Sequence, residues 1–295
     1  MSPRNPQSSE EKALLKRAQQ YLPGGSTGNF PSAFEEGFIA QKASGSKIYD
    51  YSGNEYIDYL LGSGPMLLGH AHPAVVSAVT EHLARGSTYF LTSEPAIELA
   101  EEICRAVPAA DMVRFTTSGT DATFQCMRVA RAFRRRDKVL KFEGGYHGSH
   151  DYATQSVVPS LLPDFPEPVA GSAGIPKVIQ ETMLVAPFND LETTSEIIAK
   201  HHDELACVIV EPVQRIIPPV PGFLEGLREI TAQYEIPLIF DEVVTGFRLA
   251  YGGAQEYFGV KPDLAAFGKI VGGGFPLAAI CGRSDLMHVY DATAV

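Results

Sequence analysis

The sequence predicts an α/β fold with a mostly parallel central sheet covered by helices on both faces, and three observations carry that expectation. From about residue 95, short continuous apolar runs alternate with longer segments of helical periodicity. The runs are apolar throughout rather than apolar at every second residue, which is the pattern of strands buried on both faces. The chain is also large enough for a sizeable core: 295 residues, 45% hydrophobic and 20% charged.

Taken in order, residues 1–9 are polar and are expected to be disordered. Ser8 and Glu11 have capping-box spacing, and Leu14, Leu15, Ala18 and Tyr21 follow with helical period. This predicts a short helix that stops before Pro23-Gly24-Gly25. Residues 37–61 alternate apolar and polar around the turn residues Ser52-Gly53-Asn54, which predicts a small antiparallel meander. A helix over 73–84 follows His70-Ala71-His72. Two histidines so spaced, with no third ligand nearby, read as a cap or loop contact rather than a metal site.

Helices are expected over 94–107 and 121–133, the second burying Ala122, Cys126, Met127, Val129, Ala130 and Phe133. Strands are expected over 113–116, 138–142, 205–210, 238–240 and 264–267. Leu224, Leu227, Ile230 and Tyr234 make a further helical stripe. Residues 156–186, rich in Pro, Gly and Ser, read as one long loop of the kind that often serves function. There is no internal repeat. The expected division is 1–65 as an N-terminal helix with the antiparallel segment, part of a small domain, and 66–295 as the large α/β domain.

A net charge of −11 argues against nucleic acid and anionic membrane as partners. Cys104, Cys126, Cys207 and Cys281 are far apart and fit no zinc spacing, so they read as the reduced thiols of a cytoplasmic protein. The N-terminus shows no apolar signal region, and no apolar run reaches membrane-spanning length.

In parallel sheets, ligands bind beyond the carboxyl ends of the strands, so the residues after each strand are the place to look for chemistry. Thr117-Ser118-Gly119-Thr120 follows the first strand and leads into a helix, where backbone N–H groups and hydroxyls can meet a phosphate. The same residues would serve as an ordinary Ser/Thr cap. Gly144-Gly145-Tyr146-His147 follows the second strand and offers an aromatic plate, or a plain surface loop. Glu211, Asp241 and Lys269 follow the strands over 205–210, 238–240 and 264–267. Singly, Lys269 could snorkel to water and Asp241 could cap a helix. Together, a lysine desolvated among Leu264, Phe267, Ile270, Val271 and Phe275 and a carboxylate on the same sheet are what a pyridoxal phosphate (PLP) enzyme needs. The amine forms a Schiff base, and the acid keeps the pyridine nitrogen protonated.

The chain resembles the class III PLP-dependent aminotransferases of fold type I, in the branch that contains glutamate-1-semialdehyde 2,1-aminomutase. The stretches that carry the resemblance are GSGPMLLGHAHPAVVSAV, VRFTTSGTDATFQCMRVARAF, KFEGGYHGSHD, SAGIP, PFNDLE, VIVEPV, LIFDEVVTGFR and PDLAAFGKIVGGGFPLAAICGR. The resemblance implies that Lys269 is the Schiff-base lysine and proton shuttle and that Asp241 pairs with the pyridinium. It implies that Val243 packs on one ring face and that Tyr146, with His147 beside it, stacks on the other. Ser118, Gly119 and Thr120 would bind the phosphate. Glu211 would lie near the phenolic oxygen of the cofactor, and Asn189 in the pocket wall. The segment at SAGIP, within 157–179, would be mobile and would gate the pocket. Partners would be an amino donor and a keto or aldehyde acceptor, with a homodimer placing the site at its interface.

Three departures bear on substrate. Asp121 replaces the usual Glu and keeps its charge. The aminomutase has an arginine in the segment after its PGG that grips the substrate carboxylate, whereas here that place falls near Ser32 and the segment contains no arginine. Ser63 stands where the aminomutase has a tryptophan, and this chain has no Trp at all. These changes favour a transaminase acting on another amine or amino acid over an aminomutase. A non-catalytic PLP-binding module is a third alternative, disfavoured by the presence of both Lys269 and Asp241. A nucleotide-binding oxidoreductase lacks a GxGxxG after any strand. Family members continue past the lysine segment with a small C-terminal domain and a phosphate-reaching threonine from the neighbouring subunit. Thr293 is too close after Lys269 to be that residue. The chain alone is therefore expected to be open on one side of the site, to expose apolar surface at the meander and to be a weak catalyst, unless another chain completes it.

Overall fold

The computed structural model describes residues 4–28, 37–158 and 164–291. Residues 1–3, Ser32, Thr293 and part of the expected gating loop lie outside these. The chain forms two compact units that meet in sequence at Thr88 and Tyr89.

In the first unit, helix α1 (Ser9–Tyr21) starts as its sequence dictates, with the Ser8 hydroxyl accepting the Glu11 N–H at 3.1 Å. Its buried residue is Glu11, not an apolar side chain. The Glu11 carboxylate accepts the Ile39 N–H at 2.9 Å and the Ser52 hydroxyl. A polar hub thus ties the helix to the meander β1 (Ala40–Ser44), β2 (Lys47–Asp50) and β3 (Glu55–Ile57), all antiparallel. Buried Asp50 fixes the Ser52-Gly53-Asn54 turn by accepting the N–H groups of Ser52 at 2.9 Å and Asn54 at 2.8 Å, with the Tyr56 hydroxyl on its other oxygen. His70 Nε2 lies 2.7 Å from Asp58 Oδ2, a loop contact, and His72 precedes α2 (Pro73–Leu83). Ile57, Tyr59 and Leu60 are exposed.

The second unit holds a seven-stranded sheet. Its strands are β4 (Met112–Thr116), β5 (Lys138–Phe142), β6 (Met183–Ala186), β7 (Leu205–Val210), β8 (Leu238–Asp241), β9 (Leu264–Phe267) and β10 (Ala278–Gly282), in the spatial order 4-10-9-8-7-5-6. The pairs 9–8, 8–7, 7–5 and 5–6 are parallel; β10 is antiparallel to both β4 and β9. The long loop expected over 156–186 is corrected by this arrangement, since it contains the short helix α5 (Lys177–Gln180) and strand β6.

Successive residues of each strand feed opposite faces, as the pleat requires. Cys207 and Ile209 of β7 join Val139, Ile239 and Ala266 against Ala122, Cys126, Met127 and Ala130 of helix α4 (Gly119–Arg134). Val208 and Val210 join Leu140 and Phe240 against Ile197 and Ile198 of α6 (Leu191–His201) and Leu224 and Leu227 of α7 (Phe223–Gln233). A third cluster packs α3 (Glu94–Ala106), through Ile103, on Phe267 and Ala279. Each such large side chain contributes roughly 1.5–3 kcal/mol when fully buried. Phe133, expected inside, is instead exposed: it shares the face of buried Cys126, Val129 and Ala130 but lies in the last turn of α4. Short helices α8 (Gly253–Phe258) and α9 (Ser284–Met287) complete the unit. No helix among the described residues is long and apolar enough to cross a membrane.

Candidate active site

The carboxyl ends of β4, β5, β7, β8 and β9 bring the expected residues together. Asp241 ends β8 and is buried. Its Oδ1 accepts the Val243 N–H at 3.1 Å, and its Oδ2 lies 2.8 Å from His147 Nδ1. Both Tyr146–His147 and Val243 are therefore tethered to one carboxylate, which places them on either side of it in sequence and in hydrogen bonding. Burial pushes the Asp241 carboxyl up to about 7 and holds His147 down at about 3. The pair resists carrying charge until a cation is placed beside it. The Nε2 atom of His147 is buried with no hydrogen-bond partner.

Glu211, at the end of β7, is also buried; its Oε2 accepts the Tyr146 N–H at 2.8 Å, and burial raises its carboxyl. Lys269 follows β9 by two residues and starts a tight turn over Lys269–Gly272. Its φ of 48° is left-handed, a conformation that costs a non-glycine residue on the order of 1 kcal/mol. Burial lowers its amine, opposed by the Asp241 carboxylate. A half-buried amine of lowered basicity thus lies within electrostatic reach of an acid of raised pKa, past the ends of neighbouring parallel strands.

The first turn of α4 completes the arrangement. The Ser118 hydroxyl caps the helix through the Asp121 N–H at 3.1 Å, and Asp121 in turn accepts the Thr117 hydroxyl at 2.7 Å. The N–H groups of Gly119 and Thr120 find no acceptor among the described residues, as expected for a helix start. A Cβ on Gly119 would come within 2.9 Å of Val243 Cγ1, and one on Gly148, whose φ is 103°, within 2.6 Å of Thr120 Oγ1. These two glycines let the α4 start, the Val243 segment and the Tyr146–Gly148 loop close on one another.

Asn189, expected in the pocket wall, holds a neighbouring loop, donating to the Pro218 carbonyl at 3.0 Å and accepting the Val220 N–H at 2.9 Å. Three residues escaped the sequence reading. Lys141, fully buried in β5, donates to the carbonyls of Gly145, Ala153 and Gln155, and burial lowers its amine to about 7. Gln214 is buried and donates to the Glu143 carbonyl at 2.7 Å. Arg215 donates from Nε to the Gly144 carbonyl at 3.2 Å, with its guanidinium 5.0 Å from the Tyr146 ring centroid. The one available signal was a lysine inside an apolar strand for Lys141; Gln214 and Arg215 gave none.

The sequence model of the family described as Aminotransferase class-III matches residues 32–294. The chain belongs to the class III aminotransferases. It is 47% identical over 286 residues to a glutamate-1-semialdehyde 2,1-aminomutase of Methanosphaera stadtmanae, a match that covers 95% of this chain and 66% of that protein. It thus spans just under two thirds of the length of that relative. Among solved structures it is similar to an omega-transaminase from Sphaerobacter thermophilus, with TM-score 0.94 and 40% identity over 98% of this chain and 67% of the other. It is also similar to a transaminase solved with PLP bound, with TM-score 0.89 and 32% identity over 96% and 66%.

The residues of this class III site fit PLP. A buried carboxylate of raised pKa, bonded only to a backbone N–H and a neutral imidazole, suits a protonated ring nitrogen. The free N–H groups at the start of α4 suit a phosphate, and a lysine amine of lowered basicity suits an aldehyde.

Proposed function

We propose that this chain is a PLP-dependent aminotransferase that moves an amino group between an amino acid or amine and a keto acid or aldehyde. The observation that carries this reading is the pairing of Asp241, raised by burial and tied to His147, with Lys269, lowered by burial at the end of the adjacent strand. When bound, PLP supplies an electron sink that makes the hydrogen on the amine-bearing carbon acidic. Lys269 would hold the cofactor through Nζ, and its amine, made less basic by burial, would be the group that takes and returns that proton. Asp241 holds the proton of the ring nitrogen. His147 Nδ1 keeps Asp241 oriented, Glu211 fixes the Tyr146 backbone, and Tyr146 and Val243 would pack against the cofactor ring. Ser118, Gly119 and Thr120 orient the phosphate end.

Borohydride reduction of the yellow holoprotein should fix the cofactor to the peptide that carries Lys269. Lys141 is the competing buried amine, and label there would overturn the assignment. The aminomutase reading draws support from the 47% identity to a protein of that name. Product analysis with and without an added keto acceptor separates the two, because an aminomutase returns the amino group to the same carbon skeleton. A chain that holds PLP and turns over no donor would instead be a binding module. Exposed Ile57, Tyr59, Leu60, Phe90 and Leu91 support a homodimer, checked by sedimentation, and the four unpaired thiols support a cytoplasmic location.

A further inference from the structure

Arg215 is held as a functional side chain is held, and nothing in the chemistry above uses it. Its φ of 60° is left-handed, which for an arginine costs on the order of 1 kcal/mol and has to be imposed by the surroundings. The imposition is visible. Gln214 and Ile217 exchange backbone hydrogen bonds at 3.0 and 2.8 Å, which closes the turn around Arg215. The buried Gln214 side chain anchors the turn to Glu143, and Asn189 anchors its far side at Pro218 and Val220.

The guanidinium itself is fixed along one edge only, by Nε to the Gly144 carbonyl and by the face of Tyr146. Its two Nη groups meet no acceptor, and no carboxylate pairs with it among the described residues, although the chain has 35 acidic residues against 24 Lys and Arg. Arg215 as a whole is exposed. A planar fork with one edge free is matched by the two oxygens of a carboxylate.

We propose that Arg215 receives a carboxylate of the amino donor and of the acceptor, so that the site selects amino acids and keto acids over simple amines. This rests on the aminotransferase reading of the site. The sheet order supports it. Arg215 follows β7, and three strands, β8, β9 and β10, separate β7 from β4, which carries the expected phosphate cradle. Asp241 and Lys269 lie on β8 and just after β9, between the two anion sites, so a substrate can reach Arg215 without competing with the cofactor phosphate. The positive charge of Arg215 is felt at Lys269, Glu211 and His147, which puts it within electrostatic reach of the reacting groups.

The test uses the PLP-loaded chain, Arg215→Met and Arg215→Lys, with two measurements. The first is the ratio of kcat/KM for 3-aminobutanoate to that for sec-butylamine, which has a methyl in place of the carboxylate. The ratio should fall about 10- to 100-fold in Arg215→Met, the range for a charge-assisted hydrogen bond, and recover in part in Arg215→Lys. The second is binding of butanoate, which has the carboxylate and no amine, by saturation-transfer NMR; the signal should be lost in Arg215→Met. An unchanged ratio, or butanoate binding that survives the substitution, overturns the proposal. If the unmodified chain converts neither donor, the aminotransferase reading fails, and the butanoate measurement decides Arg215 alone. There, loss on substitution supports the carboxylate site, and no wild-type signal refutes it.

Discussion

Asp241 and Asp263 stand at opposite ends of the same two strands. Asp241 closes β8 at its carboxyl end; Asp263 precedes β9 and accepts the N–H of Leu238, the first residue of β8, at 2.8 Å. Asp263 is fully matched. Arg228 and Arg283 each reach one of its oxygens at 2.7 Å. Nearby Arg134 spends its guanidinium on the carbonyls of Tyr234, Glu235 and His202. Asp241 is as deeply buried but has only a backbone N–H and a neutral imidazole. Glu211 and Lys269, within electrostatic reach of it, are likewise shifted toward their neutral forms by burial. One end of the sheet satisfies its charges internally. The other leaves them short of partners, so that a bound group supplies what is missing. The first arrangement stabilises the fold; the second stores an affinity.

If that contrast is right, substitutions at the two ends fail in different ways. Lys269→Ala should abolish turnover and the covalent attachment of cofactor by borohydride while leaving the urea midpoint close to that of the parent; a variant that still transaminates would break the contrast at its centre. Asp241→Asn should still bind PLP and lose at least ~10²-fold in kcat, the low end of proton-linked contributions, and near-normal turnover would refute its role. Asp263→Ala should do the reverse. It loses two partly exposed ion pairs and leaves the buried Leu238 N–H unmet, for ~2 kcal/mol of stability by urea unfolding, with PLP affinity unchanged.

The smallest effect sharpens the comparison through pH. In the cofactor-free chain the Asp241 carboxyl is raised from 3.8 to about 7. Between these values the folded state binds more protons than the unfolded chain, so this group lowers stability as pH rises from about 4 to 7. His147, lowered from 6.5 to about 3, acts with the opposite sign and lowers stability as pH falls through the same window. The difference between parent and Asp241→Asn isolates the carboxylate. The variant should gain on the parent as pH rises, and PLP should cancel the gain by placing a cation beside Asp241. Parallel curves would show that Asp241 is not strained by burial.

How much of this could be read from the chain follows from where side chains sit. Strands β5, β7 and β9 run between the residues the apolar runs marked, because each is buried on both faces and bounded by polar residues. Lys269, Asp241 and Glu211 were legible as charges at the ends of such runs. Strand β6 was hidden by its four-residue length inside a Pro- and Gly-rich stretch, and β10 because Ala278-Ala279-Ile280 reads as the tail of a glycine-rich segment. Chain direction was illegible for β10, since an antiparallel strand buried on both faces has the same composition as a parallel one. Lys141 showed only as a lysine inside an apolar strand, and Arg215 not at all, because the backbone carbonyls that hold them come from loops and leave no trace in residue type.

The position of β10 has a consequence for how the molecule is made. Strand β4, which leads into the α4 start, pairs with no strand among the described residues except β10. Its neighbour in the sheet is therefore synthesised after every other strand among the described residues. During translation the β5–β9 layer can assemble while β4 waits as an unpaired edge, exposed to wrong partners. Closing that long sequence separation carries a loop-closure entropy cost. Helix α4 already rests on β7 and β9, but the strand that leads into Ser118–Thr120 is paired only when residues 278–282 dock, after the lysine and the acids are in place. A ribosome-bound series of increasing length should gain PLP retention abruptly once 278–282 has cleared the exit tunnel.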